Sequence, residues 1–338
     1  MGVTVKDLAR VAGVSTATVS RALRGFDSVD PETRQLVLDV AKRLDYVGSP
    51  AAAALSTGKA GSIGIITPFV DRLAFLRMLG GIEREMRAAN MDLLLYRTGD
   101  PSDPHPVPPR KRLARRVDGF LILSVAAESP DLEEILKLGM PVTMFGTTGP
   151  GASSVYIDDR AGAAAAMDHL LERGHRRIAV IYGREIDNPI VLEHQRYLGC
   201  LDAMRRAGVP VEDRLQVPGH YTMAGGERAM AQLLERDEPP SAVFAFSDEM
   251  AYGAIQAMKN RGVRPGHDIA IIGYDGHEIS AALDLSTISV PFELIGATAA
   301  RELLHELGQT SAPRTAKVLP TELIARASTG TASFHAEL

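Results

Sequence analysis

Arg21 closes a run of small residues, Ser15-Thr16-Ala17-Thr18-Val19-Ser20, and that combination suits one kind of chemistry. A guanidinium presents N–H donors side by side, and guanine offers two acceptors on its major-groove edge. Thr16, Ala17 and Ser20 are small enough to let a helix carrying Arg21 sit deep in that groove. Thr4 and Ser15 stand where helices would begin, and helix N-termini hold phosphates, which positions a protein on a duplex without reading its sequence. A plain helical hairpin with capping hydroxyls is the alternative reading. No catalytic constellation competes: the nine histidines lie in unrelated settings, and no His-Glu-x-x-His occurs. Gly58-Lys59 lacks the glycine spacing and the following Ser/Thr of a phosphate loop. Neither a metal nor a cofactor is expected. The single cysteine, Cys200, cannot form an internal disulfide and reads as a packing residue.

Three helices must position these groups, the first two forming a helix-turn-helix over residues 4–23. Thr4 caps the first, with Asp7 three residues on as a capping-box variant and Val5, Leu8, Ala9 and Ala12 as its apolar stripe. Gly13 breaks it, and Ser15 caps the second, with Val19, Ala22 and Leu23 inward. Asp30-Pro31-Glu32 opens a third: capping acid, proline, acid in the first turn. Leu36, Val37, Val40, Ala41 and Leu44 are its expected buried face. Residues 1–46 thus read as a small helical head. The stretch 47–61, VGSPAAAALSTGKAG, reads as a linker whose centre is too short to hold a helix alone.

Beyond residue 61 apolar strand-like runs alternate with amphipathic helices. The runs are Ile63–Thr67, Leu93–Tyr96, Phe120–Ser124, Val142–Gly146, Val155–Asp158, Ile178–Gly183, Val243–Ser247, Ile269–Tyr274 and Thr287–Val290. Continuous apolar strands argue for parallel sheets covered on both faces. So many strands exceed one comfortable sheet, so two α/β lobes are expected, each doubly wound, with a ligand in the cleft between them. The lobes should comprise roughly 62–160 with 292–320 and 161–290 with 321–330. Residues 331–338 should form a tail. Gly80-Gly81 and Gly225-Gly226 read as close packing or turns, and Asp100–Arg110 as a surface loop.

Net charge is −5, yet residues 1–60 hold eight Lys/Arg against six Asp/Glu. A mildly basic head on an acidic body suits a protein that touches phosphates with one end. There is no apolar run of membrane-spanning length, no secretory signal at the N-terminus and one cysteine, so a cytoplasmic location is expected.

Residues 3–21 match V-T-x-x-D-[VL]-A-x-x-A-G-V-S-x-x-T-V-S-R at every fixed position, and Val29, Thr33, Arg34, Tyr46 and Val47 continue the match. Further along stand V-Y-I-D-D-R-A-G at 155–162, the G-H-R-R step at 174–177, S-D-E-M-A-Y-G at 247–253 and I-G-Y-D at 272–275. In these motifs the chain resembles the lac-repressor-type (LacI/GalR) transcription regulators. That resemblance implies a homodimeric, ligand-responsive repressor on near-palindromic operator DNA, with a core like the periplasmic sugar-binding proteins. It implies a hinge helix formed on DNA, with Leu55 wedged into the minor groove, although Gly48, Ser49 and Ala53 depart from the usual Pro-Asn and arginine. It implies Arg196 and Asp275 as the main effector-binding pair, suited to vicinal hydroxyls of a sugar or glycoside. Tyr221 and Phe292 become aromatic walls, and Phe75, Ser124 and Ser247 rim residues. Plainer roles are a surface ion pair for Arg196, a turn cap for Asp275 and core packing for the aromatics. A nucleobase or another small metabolite remains an alternative effector. Residues after Arg326 carry no leucine heptads, so a dimer rather than a tetramer is expected. A solute-binding protein without a DNA role and a sugar-acting α/β enzyme are the competing classes.

Overall fold

The computed structural model describes residues 3–46, 58–100, 103–104, 110–113, 115–123, 130–146, 148–149, 151–183, 192–309 and 313–330. The chain divides into two compact units, Met1–Gly61 and Ser62–Leu338.

The first unit contains α1 (Val5–Ala12), α2 (Thr16–Leu23) and α3 (Pro31–Arg43). Local hydrogen bonds set each start. Thr4 and Asp7 form a full capping box, the Asp7 carboxylate accepting from the Thr4 N–H at 3.0 Å. Gly13 ends α1 with φ of 68°, a left-handed conformation that a side chain would strain. Ser15 Oγ then accepts from the Thr18 N–H at 3.0 Å and opens α2. Asp30 accepts from the Glu32 and Thr33 N–H groups, with Pro31 at the first helical position. Leu8, Ala9, Ala12, Val19, Ala22, Val29, Val37, Val40 and Ala41 form the core. Leu36 does not join it. The residue is 48% exposed, because Val37, Val40 and Ala41 define the inward stripe and Leu36 lies one helical step to its side.

The second unit runs through β1 (Ser62–Thr67), α4 (Leu73–Ala88), β2 (Asp92–Arg97), β3 (Gly99–Asp100), β4 (Asp103–Pro104), α5 (Arg110–Leu113), β5 (Gly119–Leu123), α6 (Pro130–Leu136), β6 (Val142–Phe145) and β7 (Ser153–Ile157). It continues through α7 (Asp159–Glu172), β8 (Ile178–Tyr182), α8 (Leu192–Arg206), β9 (Gln216–Pro218), α9 (Met223–Leu234), β10 (Ala242–Ala245), α10 (Asp248–Asn260), β11 (Ala270–Asp275), α11 (Glu278–Ala282) and β12 (Ser286–Ser289). Then come α12 (Phe292–Leu307), β13 (Ala316–Leu319) and β14 (Glu322–Ile324). Two six-stranded sheets result, ordered β13-β7-β6-β5-β1-β2 and β14-β12-β11-β10-β8-β9. The chain crosses between lobes after β7, after β12 and after β13. Every residue of β1, β5, β6, β10 and β11 is buried, as parallel strands covered on both faces require.

Pairing in both sheets is parallel except at β12–β14, where Thr287 faces Ile324 in an antiparallel edge. The short strands β9, β13 and β14 carry too few apolar residues to show in the sequence. Glycines set how closely the covering helices approach. A Cβ on Gly81 would lie 2.1 Å from the Glu293 carbonyl, and one on Gly296 would lie 2.0 Å from that of Met78, so α4 and α12 cross backbone to backbone. Gly226 and Gly253 do the same for α9 and α10.

Candidate functional site

Within the head, Thr16, Ala17 and Arg21 are exposed along one side of α2, and the Arg21 side chain makes no hydrogen bond or ion pair among the described residues. Its guanidinium is therefore available to a partner. Ser20 is half-buried and already engaged. Arg24, one turn on, donates to its hydroxyl at 2.9 Å and to its carbonyl at 3.0 Å, and lies 5.1 Å over the Phe26 ring. The sequence reading did not single out Arg24, although a Ser/Arg pair four apart on a helix was a usable signal. The hydroxyls of Thr4 and Ser15 serve as caps and stay exposed. Leu55, with Gly48, Ser49 and Ala53, lies outside the described residues.

In the second unit, Arg196 of α8 is buried rather than on the surface. Its Nε donates to Asp159 Oδ1 at 2.7 Å, its Nη1 to the Phe246 carbonyl, and the guanidinium lies 3.8 Å from the centre of the Tyr274 ring. Burial works against the cation, but Asp159, Tyr274, Tyr221 and Asp275 together outweigh it and hold the pKa above the ordinary arginine value. Nη2 has no hydrogen-bond partner among the described residues. Asp159 was not expected here. Asp158 caps α7 through the Ala161 N–H at 2.9 Å, which leaves the second acid of the Asp158-Asp159 pair free to bind Arg196.

Asp275 ends β11 and is also buried. No side chain among the described residues donates a hydrogen bond to its carboxylate. Burial pushes its pKa well up; Arg196 opposes this, and the charges of Asp248 and Glu249 add to it. Its backbone φ is 126°, strained for a residue with a Cβ. The turn that follows is tied down by Asp248. That carboxylate accepts from Ser280 Oγ at 2.6 Å, Thr287 Oγ1 at 2.6 Å and the His277 N–H at 2.9 Å. Burial raises the Asp248 pKa to about 6 against those hydrogen bonds.

Two arginines from the first lobe reach the second. Arg72, just before α4, donates to the carbonyls of Tyr221 and His220 and lies 5.3 Å over the Tyr221 ring. His220 and Tyr221 both have φ near 55°, which turns those carbonyls toward it. Arg77 donates to the Gly276 carbonyl at 3.2 Å and lies 5.9 Å over the Phe292 ring. Arg72 and Arg77 thus tie the first lobe to the second beside Tyr221 and Gly276.

A family model for bacterial regulatory proteins of the lacI family matches residues 4–49, and one for a periplasmic binding protein-like domain matches residues 167–329. The catabolite control protein A of Priestia megaterium is 32% identical over 334 residues, covering 97% of this chain and all of that protein. The HTH-type transcriptional repressor CytR of Escherichia coli K12 is 34% identical over 336 residues, 96% of each chain. The chain belongs to the lacI family of bacterial regulatory proteins. This lacI-family member is therefore a transcriptional regulator. Among solved structures, the transcriptional regulator CelR in complex with cellobiose superposes with a TM-score of 0.70 at 27% identity, covering 96% of this chain and 99% of that one.

Two of the regulator's expected rim residues are not on a rim. Phe75 is 1% exposed, on the face of α4 that packs into the apolar core, where an aromatic ring gains most from leaving water. Ser247 is buried and uses its hydroxyl to cap α10 through the Met250 N–H at 3.2 Å. Ser124 lies outside the described residues. Cys200 is buried, and burial keeps its thiol protonated. Among the described residues no cluster of His, Cys, Asp and Glu could hold a metal, and no helix is long and apolar enough to cross a membrane.

Proposed function

We propose that this regulator is a homodimeric repressor that binds a near-palindromic operator and changes its affinity when a sugar or glycoside occupies the cleft of its core. The cleft supports the effector half. It buries an arginine and an aspartate, yet leaves Nη2 of Arg196 and the carboxylate of Asp275 without side-chain partners. Polar groups with hydrogen-bonding capacity to spare are the kind that fix a ligand's hydroxyls. The cellobiose bound to the related CelR supports a sugar. In this reading residues 1–46 are the DNA-binding head and 47–61 the hinge, with Leu55 at the central minor-groove step. The core is 62–330, with lobes 62–160 plus 292–320 and 161–290 plus 321–330, and 331–338 form a tail. Tyr221 and Phe292 flank the effector, which acts through unequal affinity for two arrangements of the lobes. The protein works in the cytoplasm and turns over no substrate.

Thr16, Ala17, Ser20 and Arg21 face the major groove, with Thr4 and Ser15 at the phosphates. Arg21 supplies the base readout because its guanidinium has no other partner in the head. A duplex selected from random sequence should bind the wild-type dimer, and Arg21→Ala should weaken it by about 10- to 100-fold, the worth of one bidentate base contact. Footprints unchanged by Arg21→Ala would remove Arg21 from the readout.

A further inference from the structure

Both ring nitrogens of His277 are buried without a hydrogen-bond partner, in a residue 4% exposed. Leaving a buried donor or acceptor without a partner is unfavourable. The ring is nevertheless held firmly. It stacks on Phe292 at 5.9 Å and 23°, and its backbone N–H is bound by Asp248. The preceding Gly276 is pinned by Thr287 Oγ1 at 3.2 Å and by Arg77 from the other lobe. Burial keeps the imidazole neutral, with a pKa of about 4, so at neutral pH it offers one N–H and one lone pair.

His277 Nε2 stands 3.6 Å from Asp275 Oδ2, beyond hydrogen-bond range. An oxygen about 2.8 Å from each atom would close a triangle over that gap. With Asp275 ionised and the imidazole proton on Nε2, the nitrogen that faces that carboxylate, such an oxygen must give a proton to the carboxylate and accept one from the ring. A hydroxyl does both. The carbonyl oxygen of a nucleobase only accepts and would set its lone pairs against the carboxylate. An ammonium or a ring N–H only donates.

From this geometry we infer that His277 is a specificity-determining residue of the cleft, which holds one hydroxyl of a polyhydroxy effector jointly with Asp275 and disfavours nucleobases. The inference rests on the cleft being the effector site. It adds the residue that separates sugars from bases and the atom pair that does so.

Full-length protein is titrated calorimetrically with neutral mono- and disaccharides, including D-ribose and cellobiose, and with cytosine and hypoxanthine. A saccharide should bind and the bases should not. His277→Phe keeps a ring against Phe292 but lacks both nitrogens, and should weaken that saccharide by about 10- to 100-fold. Monodeoxy analogues of the same saccharide supply a readout on the wild type: one missing hydroxyl should cost more affinity there than in His277→Phe, where only its Asp275 contact is left to lose. Equal affinity of wild type and His277→Phe overturns the assignment, as does a deoxy series with no sensitive position. Binding of a base instead, or of no saccharide at all, overturns it too. Operator binding followed in the same samples separates the two ideas. A His277-dependent saccharide that leaves DNA affinity unchanged defeats the regulatory reading alone, whereas DNA release driven by a base defeats the His277 assignment alone.

Discussion

Asp159→Asn tests the buried pair that joins α7 to α8. The side chains of Arg196 and Asp159 are 9% and 4% exposed and share a 2.7 Å hydrogen bond. The amide keeps an oxygen acceptor in place but removes the charge, so the guanidinium stays buried with no counter-ion of its own. Removing one member of a buried pair costs about 3–5 kcal/mol. Two contacts soften the loss here: the Phe246 carbonyl and the Tyr274 ring, the latter at 3.8 Å. A desolvated cation over an aromatic face is worth about 2 kcal/mol. The lower end, about 3 kcal/mol, is therefore expected. At roughly 2–4 °C per kcal/mol for a domain of this size, the melting temperature of the core should fall by about 6–12 °C. Calorimetry and urea titration of the full chain measure it. The double variant Asp159→Leu with Arg196→Met removes both charges and should regain most of that stability while losing effector binding, since Nη2 is gone. A single-variant loss below about 1 kcal/mol, or a double variant no more stable than the single, would refute the view of the pair as a mutually dependent buried unit.

Two further outcomes follow from the packing. His169 bonds Thr329 Oγ1 at 2.9 Å and faces Arg173 at 3.0 Å, and burial, aided by Arg173, lowers its pKa from 6.5 to about 4. A base whose pKa falls on folding contributes stability above its unfolded pKa and loses it as pH drops toward the folded one. Wild-type stability should therefore decline between pH 6.5 and about 4, and His169→Gln should flatten part of that slope in urea midpoints. Gly226→Ala would place a Cβ 2.0 Å from the Met250 carbonyl and should destabilise by about 1–3 kcal/mol or more, because backbone cannot yield as a side chain would. Gly80→Ala, with nothing within 4 Å, should instead stabilise α4 by about 0.5–1 kcal/mol, and thermal melts of the two variants check the contrast.

The head was legible because its signals are local. Thr4 with Asp7, Ser15 with Thr18 and Asp30 with Thr33 each close their hydrogen bonds within three residues. Leu36 was misassigned because a periodic pattern gives the inward face of a helix only to within about one residue; the position of α1 and α2 against α3 decides the rest. In the core, runs of apolar residues located the long strands, while β9, β13 and β14 stay hidden because the sheet edge they join, not their own composition, makes them strands. Phe75 and Ser247 were placed on a rim by resemblance, and packing and capping took them inside.

By itself the sequence determined where the helices of the head start, where the long strands of the core run, and that Arg21 is offered on an otherwise small-residue helix face. These follow from caps, periodicity and side-chain size, all written within a few neighbouring residues. Tertiary structure alone decided the cleft. Arg196 meets Asp159 across 37 positions and Arg77 meets Gly276 across 199. His277, one histidine among nine, becomes exceptional only because folding strips both its nitrogens of partners beside Asp275. Charge pairing and desolvation act through space, and no local pattern records which distant group will be near or which will be left without water.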